Sequence, residues 1–181
     1  NKMDTFDLDE KEQSLFGKLK AYQYWTVIVK ATGLPKDVVF FPINGAEPLS
    51  GQITPGIYTV VPTNIEGVYN VLYGCVEEMT AEEVQRDIIS FMEKIKYGKN
   101  TPQVKVTEID WCLNHYPYGI HVDNEAIKKG FYRNLLAMQG YRKTYYAGAG
   151  VDANETRSVW LHAEWLMDAY FNFSQEKFTA L

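Results

Sequence analysis

Cysteine is scarce in this chain. Cys75 and Cys112 are the only two, too few for a disulfide scaffold and too far apart for a CxxC redox or zinc motif. Both are expected as buried thiols, with a single bridge if the protein is secreted. Long apolar runs are missing as well, and none approaches the roughly 18 residues that a membrane span requires. The opening NKMDTFDLDEKEQ is acidic and lacks the apolar stretch of a signal peptide. It does not begin on methionine, so a piece of a longer protein is expected. Basic residues are in deficit, 18 Lys and Arg against 23 Asp and Glu, for a net charge of −5. No general attraction to nucleic acid or to an anionic membrane follows from that balance, and the cytoplasm is the favoured compartment. Small charged ligands stay open, because net charge does not describe a local pocket. The sequence shows no internal repeat and no low-complexity tract.

What is present is a folding-competent core. Of 181 residues, 46% are apolar, which excludes wholesale disorder and suits one domain, or one domain plus part of another. The chain carries 13 Tyr, 9 Phe and 4 Trp. Tyrosine brings apolar area together with a hydroxyl that needs a partner, so several are expected to line a pocket or an interface.

Charged residues interleave with Leu15, Phe16 and Leu19, giving a short amphipathic helix around 9–20 that Gly17 weakens. YQYWTVIVKA follows with strand character, Tyr22, Tyr24, Thr26 and Ile28 on one face and Trp25, Val27 and Val29 on the other. Gly33-Leu34-Pro35 ends it, and VVFFPI (38–43) is a short apolar run whose Pro42 belongs at an edge or turn. Residues 44–56 are rich in Gly and Pro and mark a loop. IYTVV (57–61) and VYNVLYGCV (68–76), joined by PTNIEG, read as an antiparallel pair, since so short a connection cannot make a parallel crossover.

Thr80 and Glu83 form a capping box ahead of a helix, with Met79 placed to staple against Val84. Val84, Ile88, Phe91 and Ile95 make its apolar stripe, and Gly98 stands where a C-terminal cap is expected. QVKVTEIDW (103–111) reads as a further strand. Phe131, Leu135 and Met138 fall at helical spacing within 126–139, followed by a brief β-like run, Thr144–Ala147. The last helix, 156–171, is apolar nearly all round, which implies burial on most sides, and in a chain this size a partner or further chain is expected to cover part of it. The fold class is therefore α+β: a mainly antiparallel sheet with covering helices, then a short strand and a buried C-terminal helix.

Gly148, Gly150 and Ala153 match G-x-G-x-x-A, yet the helix after them begins several residues late and no second strand follows it, so a strand-to-helix turn is the plainer reading. His115, His121 and Asp123 lack metal-ligand spacing, so no metal is expected. His162 is expected as a hydrogen-bonded core or boundary histidine. Ser158 and Cys112 have no nucleophile setting, and no residue is singled out as catalytic.

A broader resemblance is carried by YQYWTVIVKATGLP, by VYNVLYGCVEEMTAEEVQRDIISFMEKI, by WCLNHYPYG and by LLAMQGYRKTYYAGAG with the helix after it. In order and spacing over about 22–172, these resemble the C-terminal part of FAD-dependent amine-oxidase-like flavoproteins. The resemblance implies a substrate-domain-like α+β region at 1–125 and, at 126–181, the last strand and helix of an FAD domain. It further implies that Gly148, Ala149 and Gly150, then Ser158 and Val159 at the helix start, face the flavin. Free amides and the helix dipole there stabilise negative charge at the flavin N1/O2 edge. Tyr116 or Tyr118, in HYPYG, would line the substrate pocket at the flavin face. Gly150 stands where many members carry an acidic residue that touches the ribityl chain, a role left open for Asp152. Val159 stands where amine-oxidising members carry an aromatic, which argues against a simple amine as substrate.

FAD is thus the expected cofactor, on a site this chain holds only in part, because nothing in 1–60 resembles the Gly-rich unit that binds its ADP half. The expected activity is oxidoreduction by hydride transfer from a substrate C–H bond to the flavin, on a small molecule. The expected partner is a missing N-terminal part or a second copy. The other readings are a non-catalytic α+β binding module with a Tyr-rich cavity and an interaction subunit that buries the last helix.

Overall fold

A computed structural model describes residues 6–43, 54–152 and 155–171. Most of the 44–56 loop, and Ala153 of the glycine pattern, lie outside the described residues. The chain forms two compact units, Tyr22–Tyr118 and a second made of Asn1–Ala21 with Gly119–Leu181.

In the Tyr22–Tyr118 unit, β1 (Lys20–Thr32, begun just before it), β2 (Gly56–Pro62), β3 (Val68–Cys75) and β4 (Lys105–Asn114) lie in the order β2-β3-β1-β4. β2 and β3, β3 and β1, and β1 and β4 all pair antiparallel, as the short connections require. The alternation read along β1 holds: Trp25, Val27, Val29 and Ala31 are buried while Tyr24, Thr26, Ile28 and Lys30 face the other way. Helix α2 (Ala81–Met92) covers the buried face with Val84, Ile88 and Met92, beside Val71 and Tyr73 of β3. Each such side chain contributes roughly 1.5–3 kcal/mol through burial.

The capping box at Thr80 and Glu83 is present. The C-terminus differs from expectation: α2 stops at Met92, and Gly98 lies beyond it in a left-handed turn. Lys94 and Ile95 donate to the carbonyls of Phe91 and Met92, three residues back, a tightening that ends the helix without a glycine. Cys75 is buried, Cys112 half-buried, and both are free thiols. Of VVFFPI, only Phe40 joins the sheet, as a single bridge to Val60.

The other unit has its own core of Leu15, Phe16, Val122, Phe131, Leu135 and Met138. Helix α1 runs Glu10–Phe16, shorter than expected, because Gly17 closes it and β1 begins at Lys20. After the short strand β5 (Tyr118–His121), helices α3 (Asn124–Lys128) and α4 (Phe131–Leu136) replace one longer helix, with Gly130 in the left-handed region between them. Thr144–Ala147 is irregular, without a strand partner among the described residues. Instead, the Gln139 side chain pairs with both backbone groups of Tyr146, donating to its carbonyl at 2.7 Å and accepting from its amide at 2.8 Å.

Helix α5 spans Thr156–Phe171, matching expectation, but of its described side chains only Leu166 is buried. Trp160 is 59% exposed and Trp165 49%, and Leu161, Met167, Tyr170 and Phe171 are also open. The apolar composition of α5 is therefore unsatisfied among the described residues. His162 is not hydrogen-bonded as expected: both ring nitrogens are buried without a partner among the described residues, and its ring lies 5.6 Å from that of Trp165. No helix among the described residues is long and apolar enough to cross a membrane.

Candidate functional site

Two places in the chain bring the singled-out residues together with others. The first is the sheet face turned away from α2. Tyr118 stacks on Tyr24 with ring centroids 4.3 Å apart and planes 17° from parallel. Tyr58 meets Tyr24 edge-on at 5.7 Å. The His115 ring lies 6.4 Å from Tyr24, held by Thr26 Oγ1 at 3.0 Å from its Nε2 and by its own amide donating to the Tyr24 carbonyl at 2.7 Å.

Gly74 makes room for this arrangement. It sits opposite Tyr24 in the β1–β3 register, and a Cβ there would lie 2.0 Å from Tyr58 Cε2. Burial, then the neighbouring Tyr118 and Tyr58 phenols, push the Tyr24 hydroxyl above its ordinary pKa; burial and nearby Tyr22 do the same for Tyr58. These phenols stay protonated and can donate hydrogen bonds. Tyr118 is thus drawn into the cluster, 36% exposed, whereas Tyr116 is 60% exposed and joins through no ring contact found among the described residues. Leu113 and Trp111, opposite Thr26 and Ile28 in β4, extend the same face with exposed apolar surface.

The second place is the segment leading into α5. Gly148 has φ +109, and beyond its chain neighbours no heavy atom of the described residues lies within 4 Å of where its Cβ would stand. The Gly148 carbonyl accepts from the amides of Val151 and Asp152, forming a turn, and Gly150 faces Ile120 at ordinary contact distance. At Gly148, therefore, no described side chain stands in the way of a flat group lying against the backbone. The start of α5 is arranged differently: the Glu155 carboxylate accepts from the amides of Arg157 and Ser158, each at 2.9 Å, and from Ser158 Oγ at 2.8 Å. Those contacts hold the Glu155 carboxyl below its ordinary pKa, the Ser158 hydroxyl first among them. The amide of Val159 donates to the Glu155 carbonyl within the helix. Two of the first amides are thus satisfied by the chain's own carboxylate.

Upstream of that turn lies a cluster the sequence did not reveal. Glu12 of α1, 3% exposed, accepts from the Tyr146 hydroxyl at 2.7 Å, from Arg142 Nη1 at 2.8 Å and from the Asp9 amide at 2.9 Å. Arg142 also donates to the carbonyl and carboxylate of Asp7, and Tyr141 donates to Asp9 at 2.6 Å. The Asp9 amide and the Tyr146 hydroxyl hold the Glu12 carboxyl below the usual range, and the Tyr141 hydroxyl and Glu12 amide do so for Asp9. Burial and Glu12 push the Tyr146 phenol up to about 12.

A carboxyl whose folded pKa is depressed stabilises the fold above its unfolded pKa and loses that contribution as pH falls through the folded value. Acidification below the ordinary carboxylate range is therefore expected to loosen this unit, read as early loss of near-ultraviolet circular dichroism. In Glu12→Gln that acid limb should be flatter. Among the described residues no group of three His, Cys, Asp or Glu could hold a metal ion.

No protein-family model matches the chain. It is similar to the FAD-dependent oxidoreductase pigF of Monascus ruber, with 33% identity over 148 residues, 81% of this chain and 32% of that protein. The FAD-dependent oxidoreductase oblC of Cochliobolus heterostrophus is 28% identical over 87% of this chain and 34% of its own length. Beta-cyclopiazonate dehydrogenase of Aspergillus oryzae is 26% identical over 90% of this chain and 36% of its own. Among solved structures, the CLA-producing fatty acid isomerase from P. acnes superimposes with a TM-score of 0.72 at 20% identity, over 91% of this chain and 38% of that one. The chain spans about a third of the length of the curated relatives it matches. The expected resemblance to a portion of FAD-dependent oxidoreductases is met.

Proposed function

We infer, from a chain that matches FAD-dependent oxidoreductases along most of its own length, that it supplies the substrate-binding sheet and a flavin-contacting segment of such an enzyme. The 33% identity over 148 residues to one of them carries this reading. Bound FAD supplies acceptance of a hydride from a substrate C–H bond. The chain's own residues orient and enclose. Gly148, Ala149 and Gly150 lay open backbone against the flavin, an arrangement supported by the unobstructed space at Gly148. Ser158 and Val159, at the start of α5, add the favourable end of the helix dipole for negative charge. For the Ser158 amide to serve, the Glu155 carboxylate swings off it, while the Val159 amide stays bonded to the Glu155 carbonyl within the helix.

Tyr24, Tyr58 and Tyr118 form an aromatic platform for a small substrate with a flat, unsaturated surface, and the protonated hydroxyls of Tyr24 and Tyr58 orient its polar groups. Tyr116 stands at the exposed end of the same segment. Val159, without an aromatic ring, fits a substrate other than a simple amine.

The test is the visible spectrum of the complete natural polypeptide that contains this chain. It is expected to purify yellow with flavin bands, and Gly148→Val to weaken flavin retention about tenfold or more, equivalent to about 1.4 kcal/mol. A side chain there meets both left-handed strain and the occupied flavin face. A colourless protein that develops no bands when FAD is added would overturn the reading.

A further inference from the structure

We propose that Glu12 is a positioning residue, clasping Arg142 and Tyr146 from helix α1 so as to set the attitude of the Tyr146–Gly150 backbone. Its functional half rests on the flavin reading above, while its geometry stands apart from it. Glu12 is the one buried charged side chain among the described residues. Its two oxygens are shared among three donors, and two of those come from residues 142 and 146. A buried carboxylate so placed keeps its geometry only while its partners stay in place.

Thr144–Ala147 takes no sheet pairing among the described residues; backbone bonds to Gly140 and Tyr141 fix Thr144, and side chains hold Tyr146. Gln139 holds the Tyr146 backbone on one side, and Glu12 holds the Tyr146 hydroxyl, with the ring 5.0 Å from Phe16. Immediately before it, Arg142 and Lys143 have φ of 49° and 60°. Two consecutive non-glycine residues in the left-handed region are strained and persist only where their surroundings over-determine them. Arg142 is fastened at three points, to Glu12 and to both the carbonyl and the carboxylate of Asp7. The chain emerges from this fixed stretch at Gly148, where its backbone faces open space. A simple loop between α4 and α5 needs none of this; a backbone that must meet a ring at a set distance does.

Glu12→Gln and Tyr146→Phe test the clasp. The second keeps the ring packed on Phe16 and removes only the hydroxyl. In hydrogen exchange of this chain, both are expected to speed exchange at the Tyr146, Val151 and Asp152 amides tenfold or more, with α4 amides within twofold of the parent. Unchanged exchange at those three amides, or an equal rise across α4, would overturn the proposal. In the complete polypeptide, the same variants are expected to shift the visible flavin bands and weaken flavin retention. A parent that holds flavin beside variants with unmoved bands and retention overturns this proposal alone. A parent that holds none overturns the flavin reading and takes this proposal with it.

Discussion

Ile88→Ala is expected to lower the stability of the Tyr22–Tyr118 unit by about 2–5 kcal/mol, the range for deleting a buried aliphatic side chain. Ile88 is completely buried in α2, in one cluster with Val84, Met92, Val27, Val29, Val71 and Tyr73. Removing it takes away transfer free energy and leaves a cavity that a sheet on one side and a capped helix on the other close only partly. Denaturant unfolding checks this, followed by the fluorescence of Trp25, which lies in the same cluster. The midpoint should fall with the denaturant dependence unchanged. A loss below 1 kcal/mol would mean that α2 does not seal the sheet as described. Ile88→Val, which keeps most of the volume, should cost about 0.5–1.5 kcal/mol.

Gly33→Ala should be comparably severe for a different reason. Gly33 has φ +84, and an added Cβ would stand 2.5 Å from the Gln103 carbonyl oxygen and 3.0 Å from its carbon. The conformation alone costs roughly 1–3 kcal/mol in a residue with a side chain. The obstacle is backbone, so no rotamer change relieves it. Gly33 also accepts a hydrogen bond from the Tyr97 hydroxyl at 2.6 Å, which the displaced chain would stretch or lose. At a position with room and an ordinary φ, glycine to alanine stabilises by about 0.4–1 kcal/mol, so the sign of the measured change decides whether this turn is as described. The same Trp25-reported unfolding measures it.

Legibility in the sequence followed the range of the forces involved. Thr80 and Glu83 are three residues apart, and their reciprocal hydrogen bonds form wherever that helix forms. Alternation along β1 needs only a pleat and one wet face, so the buried set of Trp25, Val27 and Val29 could be read directly. The end of α2 could not, because Gly98 carried the local signal while i→i+3 bonds closed the helix at Met92. The single helix read across 126–139 broke for a related reason: Gly130 adopts a left-handed conformation that a periodic pattern does not register.

Of the candidate site, Tyr118 and Gly148 were visible as residues but not as an arrangement. A register shift between Ile57 and Thr59 in β2 accompanies the placement of Tyr58 against Tyr24, and such a bulge leaves no mark in the alternation. His115 and Thr26 meet across 89 positions, and Glu12 and Arg142 across 130.

Taken alone, the amino-acid order settled the class of fold, the antiparallel pairing, the buried faces of β1 and α2, the span of the last helix and the likeness to part of a flavoenzyme. All but the likeness, which rests on resemblance to known proteins, depend on periodicity, caps and turn residues, whose physics acts within a few residues. Tertiary structure decided which tyrosines stack, that Glu155 caps its own helix, and that Glu12 is buried as a clasp on Tyr146. Such contacts join side chains far apart in the chain, and each exists only after packing has removed water from between them.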